Sequence, residues 1–112
     1  MGEKQWDIAF HADQRIIDYT NWLYLENFGN LKFRSATSTN AGVYIFANAL
    51  HQVKYVGKAG IGRMVIEIYS AITRQKDKGA TLVKALYTKT DSDALNLETE
   101  LRRYFDPVNN LQ

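Results

Sequence analysis

From Gly42 onward, apolar positions come in short runs of the kind that strands use. Two such runs, Gly42–Ala47 and Val53–Gly57, are separated by the polar stretch Asn48–Gln52. β-Branched and aromatic residues suit a pleated surface, and a connector of about five residues suits a hairpin. Alternation sends Val43 and Ile45 to one face and Tyr44 and Phe46 to the other, while Tyr55 opposes Val56 in the second run. Two phenols can therefore share one face of the predicted hairpin, with Gly57 and Lys58 at its exit.

The remaining pattern predicts helices on either side of this hairpin. Asp13 can cap a helix running to about Asn27, with Ile16, Ile17, Tyr19, Trp22 and Leu23 on its apolar side and Gly29 as its stop. Ser35–Asn40 reads as a loop into the first hairpin strand. Residues Met64–Gln75 show a 3.6-residue period, with Met64, Val65, Ile68, Ala71 and Ile72 in one stripe. Thr81–Thr88 reads best as a third strand, although Leu82, Ala85 and Leu86 also fit a helix. Asp91, Ser92 and Asp93 offer caps for a last helix over roughly Ala94–Phe105, which Pro107 ends before the tail Val108–Gln112.

Composition narrows the class. The chain has 112 residues, enough for one modest core, and no cysteine, which removes disulfides and thiolate metal sites. No apolar run approaches the ~20 residues that cross a bilayer, and the start does not read as a signal peptide, so a cytoplasmic setting is expected. The net charge is only +2, but it is unevenly spread: residues 51–90 carry a local +6, residues 1–50 carry −1 and residues 91–112 carry −3. A basic middle suits a polyanion such as nucleic acid, and equally a solvated surface.

Candidate chemistry is sparse. Lys58-Ala59-Gly60-Ile61-Gly62 is glycine-rich but lacks the order of a phosphate-binding P-loop, so a mononucleotide site of that kind is excluded. Tyr69 falls at the border of the Met64 stripe, where a ring can pack while its hydroxyl reaches a cleft. Glu98, flanked by Ala94, Leu101 and Phe105, lies on the side of a packed face, where a carboxylate needs a partner or a metal. Arg102, four residues on, offers the ordinary partner. His51 falls in the hairpin turn, within reach of a backbone phosphate or simply exposed, and His11 is assigned no role.

Taken together, these residues resemble the GIY-YIG nuclease superfamily. Its first motif is matched by Gly42-Val43-Tyr44 and its second by Tyr55-Val56-Gly57, followed by Lys58. Its C-terminal signature is matched by Glu98, Pro107 and Asn110, and its second-helix His/Tyr position by Tyr69. The resemblance covers about residues 41–110. One landmark departs: the arginine usual eight residues after the second-motif glycine is Val65 here, leaving Arg63 as nearest candidate and Arg74 as second.

The resemblance implies an α/β domain with a small, mostly antiparallel three-stranded sheet flanked by helices. Residues 1–40 would supply an N-terminal helix and linker packed on a nuclease domain at 41–112. It further implies a DNA endonuclease that hydrolyses phosphodiester bonds with one divalent metal, magnesium, held by Glu98. Tyr44 would be the general base, helped by Lys58; Tyr55 would position the phosphate; Arg63 would stabilise its charge; Tyr69 would assist near the nucleophile or leaving group. Gly42, Gly57 and Asn110 would shape the site, and Lys54, Lys58, Arg63, Arg74, Lys76 and Lys78 would contact DNA. A single site cuts one strand, so a double-strand break would need a homodimer or two encounters. The competing readings are a non-catalytic nucleic-acid-binding module that kept the fold, and a protein-interaction domain whose tyrosines and Glu98 are structural.

Overall fold

The predicted hairpin forms one side of a five-stranded antiparallel sheet, with its second strand at the edge. The computed structural model describes residues 3–26 and 39–111. Its strands are β1 (Ile16–Tyr19), β2 (Leu23–Tyr24), β3 (Gly42–Ala47), β4 (Val53–Ala59) and β5 (Leu82–Thr88). Its helices are α1 (Met64–Thr73) and α2 (Asp91–Phe105), with 3-10 turns at Ile8–Ala12 and Val108–Leu111. The sheet order is β1-β5-β3-β4, with β2 joining β1 along the outer edge of β5.

β3 is central and buried on both faces, which its unbroken apolar run Gly-Val-Tyr-Ile-Phe-Ala permits. Tyr44, Phe46, Tyr55, Ala59, Val83, Ala85 and Tyr87 pack with Met64, Ile68 and Ala71 of α1. Val43, Ile45, Val53, Val56 and Leu86 pack on the other face with Leu97, Leu101 and Phe105 of α2. The alternation read from the sequence thus assigns each face its own helix. Thr81–Thr88 is a strand from Leu82 on; paired to β3 throughout, it leaves the helical alternative no place.

The N-terminal segment departs from expectation. In place of a helix over Asp13–Asn27, the Asp13 carboxylate accepts from the Arg15 backbone N–H at 2.9 Å and also holds the Arg15 guanidinium, bending the chain into β1. Ile16, Ile17, Tyr19, Trp22 and Tyr24 are β-formers, and without them β5 would present an open edge. β1 and β2 close it, raising the strand count from three to five, with a bulge between Ile16 and Asp18. The Gly29 stop and most of the Ser35–Asn40 loop lie outside the described residues.

Smaller corrections follow the same packing logic. α2 starts at Asp91 because Thr90, not one of the three following residues, accepts from the Asp93 N–H at 3.0 Å. α2 ends at Asp106, whose left-handed backbone (φ 45°) turns the chain before Pro107. α1 stops at Thr73, and Val65, expected in its buried stripe, is exposed.

Trp6 joins the α2-side core, stacked on Phe105 at 5.7 Å and edge-on to Trp22 at 6.5 Å. This places Lys84 of β5 under an aromatic roof. It is 4% exposed, and burial lowers its pKa from 10.5 to about 8. The unfolded chain then binds the extra proton between those two values, so stability should rise with pH across that window. Chemical denaturation at a series of pH values should show wild type gaining roughly 2–3 kcal/mol relative to Lys84→Met over the window, a difference that cancels the opposing contribution of the buried phenols of Tyr44 and Tyr87. Lys84→Met should lack that gain and be the more stable protein at pH 7.

Candidate active site

The two motif tyrosines stand side by side on the α1 face, with ring centroids 6.0 Å apart. β3–β4 pairing sets this: Tyr44 lies opposite Gly57, and Tyr55 opposite Phe46. A Cβ at Gly57 would fall 2.3 Å from Tyr44 Cζ and 2.4 Å from its hydroxyl oxygen, so the phenol occupies the space that any other residue would fill. Gly42 is equally constrained, since a Cβ there would meet the Leu86 carbonyl oxygen at 2.2 Å and Met64 at 2.8 Å. The motif glycines exist to bring backbone and ring together.

Burial pushes the Tyr44 phenol far above its ordinary pKa; the neighbouring Tyr55, by its charge and a hydrogen bond, adds to this, while Arg74 opposes it. Tyr44 thus holds its proton firmly. Tyr55 sits at the rim, 9% exposed against 1% for Tyr44.

Lys58 and Glu98 belong to the opposite face. Lys58 pairs with Val43, so its side chain leaves β4 on the α2 side, where Nζ donates to the Asp91 carboxylate at 2.7 Å. Glu98 is half-buried on α2; desolvation raises its pKa, while Arg102 and Lys58 pull it back. Arg102, the ordinary partner read from the sequence, therefore acts on Glu98, but desolvation outweighs it. The candidate residues fall into two groups: Tyr44 and Tyr55 within the fields of Glu67 and Arg74, and Lys58 and Glu98 beside Asp91 and Arg102. β4, the sheet's outer strand, runs between them.

Asn110 holds that strand. Its side-chain carbonyl accepts from the Val56 N–H at 2.9 Å, and its amide donates to the Val56 carbonyl at 2.8 Å, replacing a missing neighbour strand. Nearer the turn, Trp6 N–H donates to the His51 carbonyl and Val53 N–H to the Lys4 carbonyl. Both clips lie on the hairpin side of Lys58.

The other sequence-predicted contacts are dispersed. Arg63, at the start of α1, pairs with Glu67 at 3.2 Å, and both are solvent-accessible. Tyr69 is 45% exposed on α1, and Lys54 is paired with Glu3. Arg74 ends α1, and Lys76 and Lys78 follow in the next turn, where their backbone carbonyls receive the Asn109 amide. Asn109, buried and bonded to both, is a structural residue that sequence reading passed over. His51 is no bare turn residue, since its ring stacks on Trp22 at 5.1 Å.

Among the described residues, no group of three or more acidic or histidine side chains could enclose a metal. Glu98 fits a metal only as magnesium is often held, by one carboxylate with waters and substrate phosphate filling the rest. Its costly half-buried carboxylate suits that role.

A family model describing the UvrC-like GIY-YIG domain matches residues 40–111. No curated protein sequence matches the chain. No helix among the described residues is long and apolar enough to cross a membrane.

Gly57→Ala should cost about 1–3 kcal/mol by overpacking against Tyr44. Gly60→Ala, whose Cβ would meet nothing nearer than 3.7 Å, should stay within about 0.5 kcal/mol of wild type. Denaturant midpoints of the two variants measure the difference.

Proposed function

Because the chain belongs to the UvrC-like GIY-YIG domain family, a family of nuclease domains, we propose that it is a metal-dependent DNA endonuclease working at the outer strand β4. The observation that carries this reading is Glu98: a half-buried carboxylate, raised by desolvation, within the field of Lys58 just past the second motif. A purely structural glutamate gains little from that placement, whereas a cation ligand gains a pre-desolvated, fixed oxygen. The bound cation would supply Lewis-acid polarisation of the phosphate and charge neutralisation.

The chain's own residues divide the remaining work. Lys58, held by Asp91, sets the field around Glu98 and offers a cation to a phosphate oxygen. Between the phenols, the geometry favours Tyr55 as the proton acceptor for the attacking water, in place of the Tyr44 that the motif alone suggested. Tyr44 is too deeply buried to lose its proton readily, whereas Tyr55 sits at the rim. For the phosphate clamp, Arg74 is the better candidate, since its charge acts on Tyr44 while Arg63 is engaged by Glu67.

The substitution of Val65 for the family arginine supports one other reading, a DNA-binding module without catalysis. Supercoiled plasmid with magnesium separates them. Wild type should nick; Glu98→Gln should lose about a hundredfold or more, and Arg74→Ala about a hundredfold, with Arg63→Ala far milder. Salt-sensitive binding with no nicking at any magnesium concentration would leave the module reading. Equal nicking by wild type and Glu98→Gln would exclude Glu98 as the metal ligand.

A further inference from the structure

Away from the candidate active site, the N-terminal segment builds a second cavity of about 410 Å³ against β5. Its walls are Trp6, Tyr19 and Trp22, with His11, His51 and Lys84 among them. Trp6, His11, Tyr19 and Trp22 lie before residue 40, outside the stretch that the family model matches.

The cavity is rich in donors and short of negative charge. The Lys84 ammonium donates to the Thr20 carbonyl at 2.7 Å and lies 5.2 Å from the Trp22 ring centroid and 5.5 Å from that of Tyr19. Ring faces and one carbonyl solvate a cation only in part. Among the described residues, no carboxylate pairs with Lys84 or lines the cavity. A buried charge without a counter-ion is costly, and an incoming anion would relieve that cost. His11 adds to the imbalance. Its Nε2 accepts from Trp6 Nε1–H at 3.2 Å, which puts the proton of the neutral ring on Nδ1, a buried atom with no partner.

The walls limit what the anion can be. A bare inorganic ion would use Lys84 and leave the aromatic lining of the cavity uncontacted. An anion carrying a flat ring uses both, and the volume lies in the usual range for small-molecule sites. We propose that this cavity binds a nucleotide unit, its phosphate paired with Lys84 and its base against the Trp6–Tyr19–Trp22 wall. The choice of a nucleotide among ring-bearing anions rests on the nuclease reading; the site itself does not. The unit could be a free mononucleotide or the terminal nucleotide of a single strand, which share this chemistry.

The chain's two tryptophans are both in this wall, so intrinsic fluorescence reports directly on it. The full chain is titrated with thymidine 5′-monophosphate, thymidine, inorganic phosphate, and a short oligothymidylate with and without a 5′-phosphate. Saturable quenching by thymidine monophosphate, with thymidine and phosphate each about tenfold weaker or more, is the expected result. Tighter binding of the phosphorylated strand than of the mononucleotide would assign the site to strand ends, and the reverse order to free nucleotide. Lys84→Met, folded by circular dichroism, should bind about tenfold more weakly or worse. Glu98→Gln should quench like wild type, which separates failure here from failure of the nuclease reading. Phosphate binding as tightly as the nucleotide, undiminished binding by Lys84→Met, or no saturable quenching by any ligand would each overturn the proposal.

Discussion

The contact between the Tyr44 ring and Gly57 sets the terms for the rest of the structure. It fixes how β3 and β4 face each other, since only a residue without Cβ tolerates a phenol at that distance. It buries one motif tyrosine deeply, where the phenol holds its proton, and leaves the other at the rim. It also leaves room beneath α1, whose Met64, Ile68 and Ala71 close over the same cluster. Gly42 repeats the device one strand over, against β5 and Met64. Two glycines thus convert a run of strand-forming residues into a packed, three-strand centre.

The candidate active site inherits a division from this sheet. Tyr44 and Tyr55 lie beneath one helix, and Lys58 and Glu98 beside the other. Successive residues of one strand point to opposite faces, so a catalytic set drawn from both helices can meet only around the outermost strand. Asn110 clips β4 at Val56, and the N-terminal residues clip it near the turn. Both clips keep the strand in place while leaving its Lys58 end clear of them. A phosphate there would approach rigid backbone, with a cation on one side and a phenol on the other.

Much of this was legible from residue pattern. β3, β4, α1, α2 and β5 follow from alternation and period because each buries a face whose partner lies within the same pattern. The N-terminal strands were not legible, because Ile16–Leu25 carries apolar residues at spacings that fit a helix as well as a strand. The choice depended on an unpaired edge of β5, a fact of the fold and not of the segment. Motif residues Tyr44, Tyr55, Gly57 and Glu98 were legible by type, but the raised pKa values of Tyr44 and Glu98 were not, since burial depends on what packs above them. Lys84 shows the same limit: nothing in its neighbours along the chain announces a roof of Tyr19 and Trp22.

The closure of β5 by β1 and β2 has a consequence for synthesis. Thr20 and Lys84, bonded in the finished sheet, are 64 residues apart. During translation the segment holding β1 and β2 leaves the ribosome well before β5, the strand that receives it. The hairpin and α1 can fold meanwhile from contacts close in sequence, but Ile16, Trp22 and Leu23 must wait with their apolar side chains uncovered. The segment that completes the sheet therefore docks only once β5 has been made, and it cannot start the sheet's folding.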